Sequence, residues 1–531
     1  MQKTALLSVY DKTQLTSFAQ GLTDLGYRLI SSGGTCRHLQ EAGLEVTEVS
    51  SLTQFPEMLG GRVKTLHPVV HGGILARRDH PDDLASLEAQ GIQTIDLVCV
   101  NLYPFAQVLA KGGDEGELIE NIDIGGPTLL RAAAKNFRDV WVVTDPGDYE
   151  RVLDQVKEAQ GKEPYAPEIL AQRRLLAAKV FESTFHYDQL ISSYFQKATA
   201  QTNDNLTTAD LSDDQLFPDR IDIEGQRLQV LRYGENPHQR AAFYRFGQLS
   251  DSGLPAAQQL HGKDLSYNNI QDANAALELL YEFDQPCVVA LKHMNPCGLA
   301  VGKDIYQAWQ AAYQADPVSI FGGIVAANRE IDLQTAQELH EIFLEIVLAP
   351  SFSQEAFDLL AKKKNIRLLT LPMATKQSLD RLKLVSVMDG VLMQERDLYK
   401  VQREDCKLMT QAAPTDDQWT DLINGFSVVK HCKSNAIVVF KDGVTLGIGV
   451  GQSNRVGAAK LALEQAGDRA KGAILASDAF FPMPDTVEMA AQFGISAIIQ
   501  PGGSIRDEDS IQVCNTKGIA MVATGIRHFK H

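Results

Sequence analysis

The chain has 531 residues, is 44% hydrophobic and carries a formal net charge of -17. Such a length accommodates two or three domains with sizeable cores, and the negative charge argues against a long nucleic-acid or anionic-membrane footprint, which needs a basic face. Any anionic ligand must therefore be held by individually placed Lys and Arg and by glycine-rich turns. No run of about 18 apolar residues occurs, and the opening MQKTALLSVYDKT lacks a signal-peptide pattern, so a soluble, cytoplasmic protein with no membrane contact is expected. The 7 cysteines are odd in number and form no CxxC pair, which predicts reduced thiols.

In chain order, TALLSVYD reads as a short buried strand, and Leu15, Phe18, Leu22 and Leu25 after it lie on one helical face. YRLIS then runs through SSGGT into helical CRHLQEAG and EVTEVS. DLVCVNLYPF and DVWVVTD look like strands of a parallel sheet. These elements predict an α/β domain over residues 1–197. Residues 198–217, ATAQTNDNLTTADLSDDQLF, are polar and read as a linker. The remaining region, 218–531, offers CVVALKH, GGIVAAN, LVSVMDGVLMQ, NAIVVF, VTLGIGVG, GAILASD, SAIIQPG and IAMVATG as strands, with Asp442-Gly443 as a hairpin turn because both residues tolerate positive φ. Two strands end in unusual polar clusters, KHMNPCG and SDAFFPMPD, which hints at a duplicated α/β unit.

KHMNPCG (292–298) raises the question of a metal. A zinc deaminase site needs His-x-Glu and Pro-Cys-x-x-Cys, but here Asn295 stands two after His293 and Ala300 three after Cys297. Zinc is thereby rejected and no metal ligand set is expected. A His beside a Lys at a strand end suits proton transfer, imidazole as base and ammonium as acid or electrostatic stabiliser, although a hydrogen-bonded core His and a surface Lys would read the same.

Several other stretches suit anions. SSGGT (31–35) joins strand to helix, where backbone amides can cradle a phosphate or form an ordinary helix start. MLGGRVKTLHP (58–68) is no Walker loop, since Val63 precedes Lys64 and Met58 replaces a glycine; it leaves Arg62, Lys64, Thr65 and His67 on a Gly-led loop, an anion contact or a solvated basic turn. NIDIGGPTLLRAAAKN places Asp123 before Gly-Gly, with Arg131 and Lys135 on one helical face. LRYGENPHQ gathers Arg232, Tyr233, Asn236 and His238 in a loop of the binding kind. Asn435 offers both donor and acceptor, and Arg455 after Gly451 suits an anion at a helix start. His340, beside Leu339 on an apolar face, reads as structural.

Taken in series, SGGT, FPEMLGGRVKTLHP, NLYPF, IDIGG, RYGENPHQ, KHMNPCG, SDAFFP and the closing RHFKH resemble the bifunctional AICAR transformylase/IMP cyclohydrolase family over nearly the whole chain. The resemblance implies a methylglyoxal-synthase-like α/β domain that closes formyl-AICAR to IMP. It also implies a duplicated cytidine-deaminase-like region, without zinc, that transfers a formyl group from 10-formyltetrahydrofolate to AICAR. It further implies a homodimer and, in some members, a bound potassium ion (K+). By motif, Lys292 and His293 match the formyl-transfer pair and Asn435 their orienting partner. Arg232, Tyr233, His238, Gly322, Glu345, Arg455 and His531 match positions around the nucleotide and catalytic centre. Val456, Phe480, Phe481 and Pro482 match a slot for the folate ring, with Asp485 at its pterin edge. In the first domain, Ser8, Lys12, Ser32, Gly34, Thr35, Arg62 and Thr65 match nucleotide contacts, and Lys64, Tyr103, Asp123 and Lys135 the catalytic surroundings, Asp123 and Lys135 being expected as acid/base partners.

Two competing readings exist. The first domain could be a regulatory nucleotide-binding module, against which the retention of Lys64, Tyr103, Asp123 and Lys135 argues. Alternatively, the second region could be a degenerate deaminase-fold binding protein without transferase chemistry.

Overall fold

The computed structural model describes residues 2–200, 216–217, 219, 221, 223, 225–246, 253–373 and 381–531. The chain divides into two compact units, Met1–Leu211 and Ser212–His531. The linker expected over 198–217 lies outside the described residues, apart from the end of a long helix, Pro167–Ala200, that the sequence patterning left unassigned, and residues 216–217.

The first unit is built on β1 (Thr4–Val9), β2 (Arg28–Ser31), β3 (Val46–Glu48), β4 (Leu97–Asn101) and β5 (Trp141–Val143), in spatial order β3-β2-β1-β4-β5. Every pairing is parallel. Such a sheet is covered on both faces, which is why Ala5, Leu6, Leu7, Leu97 and Val98 are all fully buried. The helix Leu15–Asp24 buries Leu15, Phe18 and Leu22 as the spacing predicts, and Phe18 stacks on Tyr149 with ring centroids 4.3 Å apart. Strand order reverses at β1 and β4, and the crevice beyond the carboxyl ends of those strands is where an open α/β sheet receives a ligand.

The second unit carries β6 (Gly225–Leu231) and β7 (Ala241–Phe246) as a separate ribbon, followed by β8 (Gln258–His261), β9 (Cys287–Lys292), β10 (Asn295–Val301), β11 (Ile324–Ala327), β12 (Ile346–Ala349) and β13 (Arg367–Thr370). A second ribbon, β14 (Leu382–Val387) and β15 (Gly390–Glu395), precedes β16 (Lys407–Leu408), β17 (Ile437–Lys441), β18 (Val444–Gly449), β19 (Ile474–Ser477), β20 (Ala497–Gln500) and β21 (Ala520–Ala523). Twelve strands form one sheet, ordered β16-β21-β20-β19-β17-β18-β10-β9-β11-β12-β13-β8. Read outward from the centre, each half is an antiparallel hairpin, three strands parallel to one another, and an antiparallel edge strand.

The duplication is therefore present, but the two clusters that hinted at it are not equivalents. β9 ends in KHM and its twin is β17, which ends in Lys441-Asp442-Gly443; the SDAFFP cluster follows β19, whose twin is β11. One sheet face carries a core common to both halves, with Leu277, Leu280, Leu422, Phe426 and Phe440. The other face carries two separate cores, one around Trp309 and one around Leu463 and Phe481. LVSVMDGVLMQ, expected as one strand, is the β14–β15 hairpin.

The helix Arg455–Ala466 lies so close on β18 that a Cβ on Gly447 or Gly449 would overlap the carbonyl oxygens of Ala462 and Ala458. Gly449→Ala is expected to cost about 1–3 kcal/mol, the usual scale of overpacking, read as a lower urea midpoint of the second unit's unfolding; an unchanged midpoint would contradict this packing.

Candidate functional sites

A cavity of about 610 Å³ opens at the switch point of the first sheet. It is lined by Ser8 at the end of β1, Ser32, Gly34 and Thr35 at the start of the helix Gly33–Glu41, and Arg62, Lys64 and Thr65 of the Gly-led loop. Lys12, Tyr103 and Asp123 line it as well, so of the expected set only Lys135 lies off its wall. The helix start has Ser32 in extended backbone and no side-chain cap, so its leading amides face the cavity as an anion site. Thr35 is buried and its hydroxyl both donates to the Val9 carbonyl (2.9 Å) and accepts from the Val9 amide (3.1 Å), tying that helix to β1. Lys64 Nζ lies 2.9 Å from Glu57, and Arg62 pairs with Glu120 in solvent.

Asp123 stands where the chain turns into the helix Gly125–Lys135. Its Oδ1 accepts the Gly126 amide at 2.8 Å, its own amide donates to the Tyr187 hydroxyl at 2.7 Å, and a Cβ on Gly126 would strike its carboxylate. Burial pushes its carboxyl above the ordinary value, against the pull of the Gly126 and Tyr103 amides. Lys135 is exposed at the far end of the same helix and is not on the cavity wall; ten residues of helix span about 15 Å. Asn101, which the patterning missed, closes the end of β4, its side chain accepting the amides of Tyr10 (2.6 Å) and Asp11 (3.0 Å). A polar residue ending the apolar run DLVCVN was the available signal.

In the second unit, β9 and β10 are joined by His293 and Met294, with φ of 54° and 62°. Two consecutive left-handed residues make the tight hairpin turn that Asn-Gly or Asp-Gly ordinarily fills, and each non-glycine there costs roughly 1–2 kcal/mol. The Asp272 carboxylate accepts both amides of the turn, His293 at 3.3 Å and Met294 at 2.7 Å. Asn295 Nδ2 donates to the His293 carbonyl at 3.0 Å, and its Oδ1 accepts the Lys433 amide at 3.3 Å. Lys292 Nζ donates to the Phe321 carbonyl at 2.9 Å, beside Gly322. The Gly322 amide donates to the Phe343 carbonyl, and Glu345 two residues on holds Arg367 at 2.6 Å.

From the other half, Asn435 Oδ1 accepts from Arg455 at 2.7 Å and its amide donates to the Gln452 carbonyl at 2.8 Å. Arg455 is itself buried and bonded to Ser477 (3.0 Å) and Asp478. Its guanidinium, expected to meet an anion, is thus occupied within the protein, where it orients Asn435. Phe481, expected against a folate ring, is fully buried in the core of its half. Its neighbour Phe480 is 40% exposed, with Val456 half-buried, Pro482 exposed, and Asp485 exposed at the first turn of the helix Asp485–Gln492. Arg232 lies over the Tyr233 ring at 5.6 Å, and their loop, which also bears exposed His238, reaches the helix Tyr267–Leu280 through Asn268, whose amide donates to the Glu235 carbonyl. His531 packs its ring 5.6 Å from Phe529, and Lys530 bonds Ser434. Lys292, His293 and Asn435 are therefore gathered at one end of the sheet. His340 keeps a buried Nδ1 without a partner.

The family model described as AICARFT/IMPCHase bienzyme matches residues 133–465, and one described as an MGS-like domain matches residues 14–128. The chain is 53% identical over 532 residues to the bifunctional purine biosynthesis protein PurH of Anoxybacillus flavithermus, 100% of each chain being covered. The PurH proteins of Bacillus thuringiensis (53% over 533 residues) and Oceanobacillus iheyensis (52% over 532) are similar to it over the same full extent. A solved structure titled Crystal structure of ForH is 39% identical, covers 37% of this chain and 100% of its own, and has a TM-score of 0.33.

Because burial outweighs two amide contacts at Asp123, its carboxyl should titrate above the ordinary 3.8, taking up its proton before exposed aspartates as pH falls. Carboxyl-carbon NMR across an acid titration checks this; a midpoint at or below that value would reverse the sign.

Proposed function

The chain belongs to the AICARFT/IMPCHase bienzyme family, and from that premise we propose that its two activities are carried by Lys292 and His293 at the β9–β10 turn and by the cavity of the first unit. The protein is bifunctional: it transfers a formyl group to AICAR and closes formyl-AICAR to IMP with loss of water. The first unit, residues 1–197 in the sequence reading, is given the ring closure, and residues 218–531 the formyl transfer.

In formyl transfer the AICAR amine is conjugated with its ring and carboxamide, so it is a weak nucleophile whose proton must leave as the new C–N bond forms. His293 imidazole takes that proton, and the Lys292 ammonium supports the developing oxyanion and protonates the folate nitrogen as its bond to the formyl carbon breaks. Asn435, held by Arg455, orients the formyl oxygen or the imidazole. Arg232, Tyr233, His238, Gly322, Glu345 and His531 are assigned to the nucleotide. We assign the donor as 10-formyltetrahydrofolate, bound as a cosubstrate. The exposed Phe480 ring with Val456 and Pro482 supplies an apolar surface for its pterin, and the Asp485 carboxylate an acceptor at the edge; Phe481 serves as backing from the core. The observation that supports this reading is the meeting of Lys292 and His293 from one half with Asn435 from the other at a single sheet end.

In ring closure the carboxamide nitrogen attacks the formyl carbon, the oxygen gains negative charge, takes up the two protons shed by the carboxamide and formamido nitrogens, and leaves as water as the ring C=N bond forms. The amides at Ser32–Thr35, with Ser8, Lys12, Arg62 and Thr65, would hold the phosphate and ribose. The Lys64 ammonium would stabilise the oxyanion, and Asp123 with Tyr103 would move the proton. Lys135 remains an expectation of the resemblance, without a contact to the cavity in this chain.

The finer assignments are a cytoplasmic homodimer. No described helix is long and apolar enough to cross a membrane. The β14–β15 ribbon forms a sheet of its own with Met388 97% and Leu392 61% exposed, an apolar surface of the kind a second copy covers. A potassium ion, where bound, would be a structural one held by a cage of oxygens, and the steps above use no metal ion.

In the full-length protein, His293→Ala is expected to lower formyl transfer by at least about 100-fold while ring closure of supplied formyl-AICAR stays intact. Asp123→Asn and Lys64→Ala should do the reverse. Coupled loss of both activities in each variant would refute the division of labour, and a His293→Ala protein with full formyl transfer would refute the base.

A further inference from the structure

We propose that Asp272 is a positioning residue for formyl transfer, its carboxylate holding the left-handed backbone of the His293-Met294 turn and thereby the place of the imidazole. The proposal rests on the reading of His293 as the base.

The argument comes from the duplication. Asp272 is the sixth residue of the helix Tyr267–Leu280, which precedes β9. The sixth residue of the equivalent helix, Asp416–Val429, is Asp421, and its carboxylate accepts both amides of the turn between β17 and β18, Asp442 at 2.8 Å and Gly443 at 3.0 Å. Both halves thus use one device, a helix carboxylate bridging two adjacent amides of a two-residue turn. The residues in the turns differ in kind. Asp442-Gly443, with φ of 52° and 80°, is the pair this geometry favours, because glycine populates positive φ without cost. His293-Met294 is a pair it disfavours, so that turn depends more heavily on the carboxylate that captures its amides.

What hangs on the turn differs as well. In the second half it carries no group that the chemistry uses. In the first half it carries the imidazole, to which no hydrogen bond is made among the described residues; beyond the electrostatic pull of the nearby Asp272 carboxylate, the ring is placed through its backbone. Asp272 holds that backbone on the amide side and Asn295 holds the His293 carbonyl. Asp272 is itself half-buried, and its charge is offset by those two amides. The twin turn lies beside Val301, at the opposite end of β10, which makes it an internal control.

The test measures kcat and KM for AICAR in formyl transfer on the full chain, with ring closure as a control, for Asp272→Ala, Asp421→Ala, His293→Ala and the double variant Asp272→Ala/Met294→Gly. Asp272→Ala is expected to lower kcat on the order of 100-fold, the scale of a catalytic group misplaced by about an ångström, with little change in KM. Asp421→Ala, which loosens the twin turn, should keep its kcat. Adding Met294→Gly should restore most of the lost rate, since glycine adopts the left-handed backbone unaided; a general loss of fold would show equally in Asp421→Ala. Should Asp272→Ala not fold, Asp272→Asn, which keeps one acceptor, and the double variant carry the same expectation. The proposal is overturned if His293→Ala loses formyl transfer while Asp272→Ala keeps it, if Asp421→Ala falls as far, or if Met294→Gly restores nothing. If His293→Ala itself retains full activity, the reading of the base has failed, and this inference with it.

Discussion

The second unit depends on the seam between β10 and β18. These two strands, one from each repeat, pair antiparallel, with Ala300 opposite Val444. Thr445 reinforces the join, its hydroxyl accepting the Leu299 amide at 2.9 Å and donating to the Leu299 carbonyl at 3.2 Å, and the Val301 amide donates to the Gly443 carbonyl at 2.9 Å. Leu299, Ala300 and Thr445 are buried, where an unmade hydrogen bond is costly, so the register is strongly specified. Because the pairing is antiparallel, the start of β10 meets the end of β18. That register alone brings Asn435 and Arg455 to the side of Lys292 and His293. Neither repeat by itself holds the full set.

The acidic balance of the chain poses a different problem in the first unit, whose ligand is anionic. The solution is local. A helix start contributes partial positive charge, and the nearby ammonium of Lys64 and guanidinium of Arg62 rest on Glu57 and Glu120 at the surface. Ion pairs that face solvent are worth little, so an arriving anionic ligand can displace these carboxylates readily. Asp123 is the contrasting case, half-buried and fixed by backbone amides, so it is not free to be exchanged in the same way.

Much of this was legible in the amino-acid order. The apolar spacing of Leu15, Phe18 and Leu22 predicted the first helix, and Asp442-Gly443 its hairpin. KHMNPCG offered its two side chains as candidates but not its backbone, since His-Met carries none of the signature of a left-handed turn. The partner of Arg455 could not be foreseen, because Asp478 is brought to it only when β19 is laid beside β17. Phe480 and Phe481 were indistinguishable by type, yet one ring faces out and the other fills a core, a matter of chain direction past the end of β19. Helical spacing placed Arg131 and Lys135 on one face without telling that the cavity lies at the opposite end of that helix.

The seam also governs how the second unit comes into being. Leu299 and Thr445 stand 146 residues apart, so the join cannot form until long after β10 has been synthesised. Through that interval β10 presents a long, apolar, unpaired edge, a template for wrong partners. Contacts of such long range also slow folding, since chain closure must be completed before they contribute. Joining two repeats edge to edge thus brings Lys292 and His293 to Asn435, and leaves the nascent chain exposed to aggregation until its later half arrives.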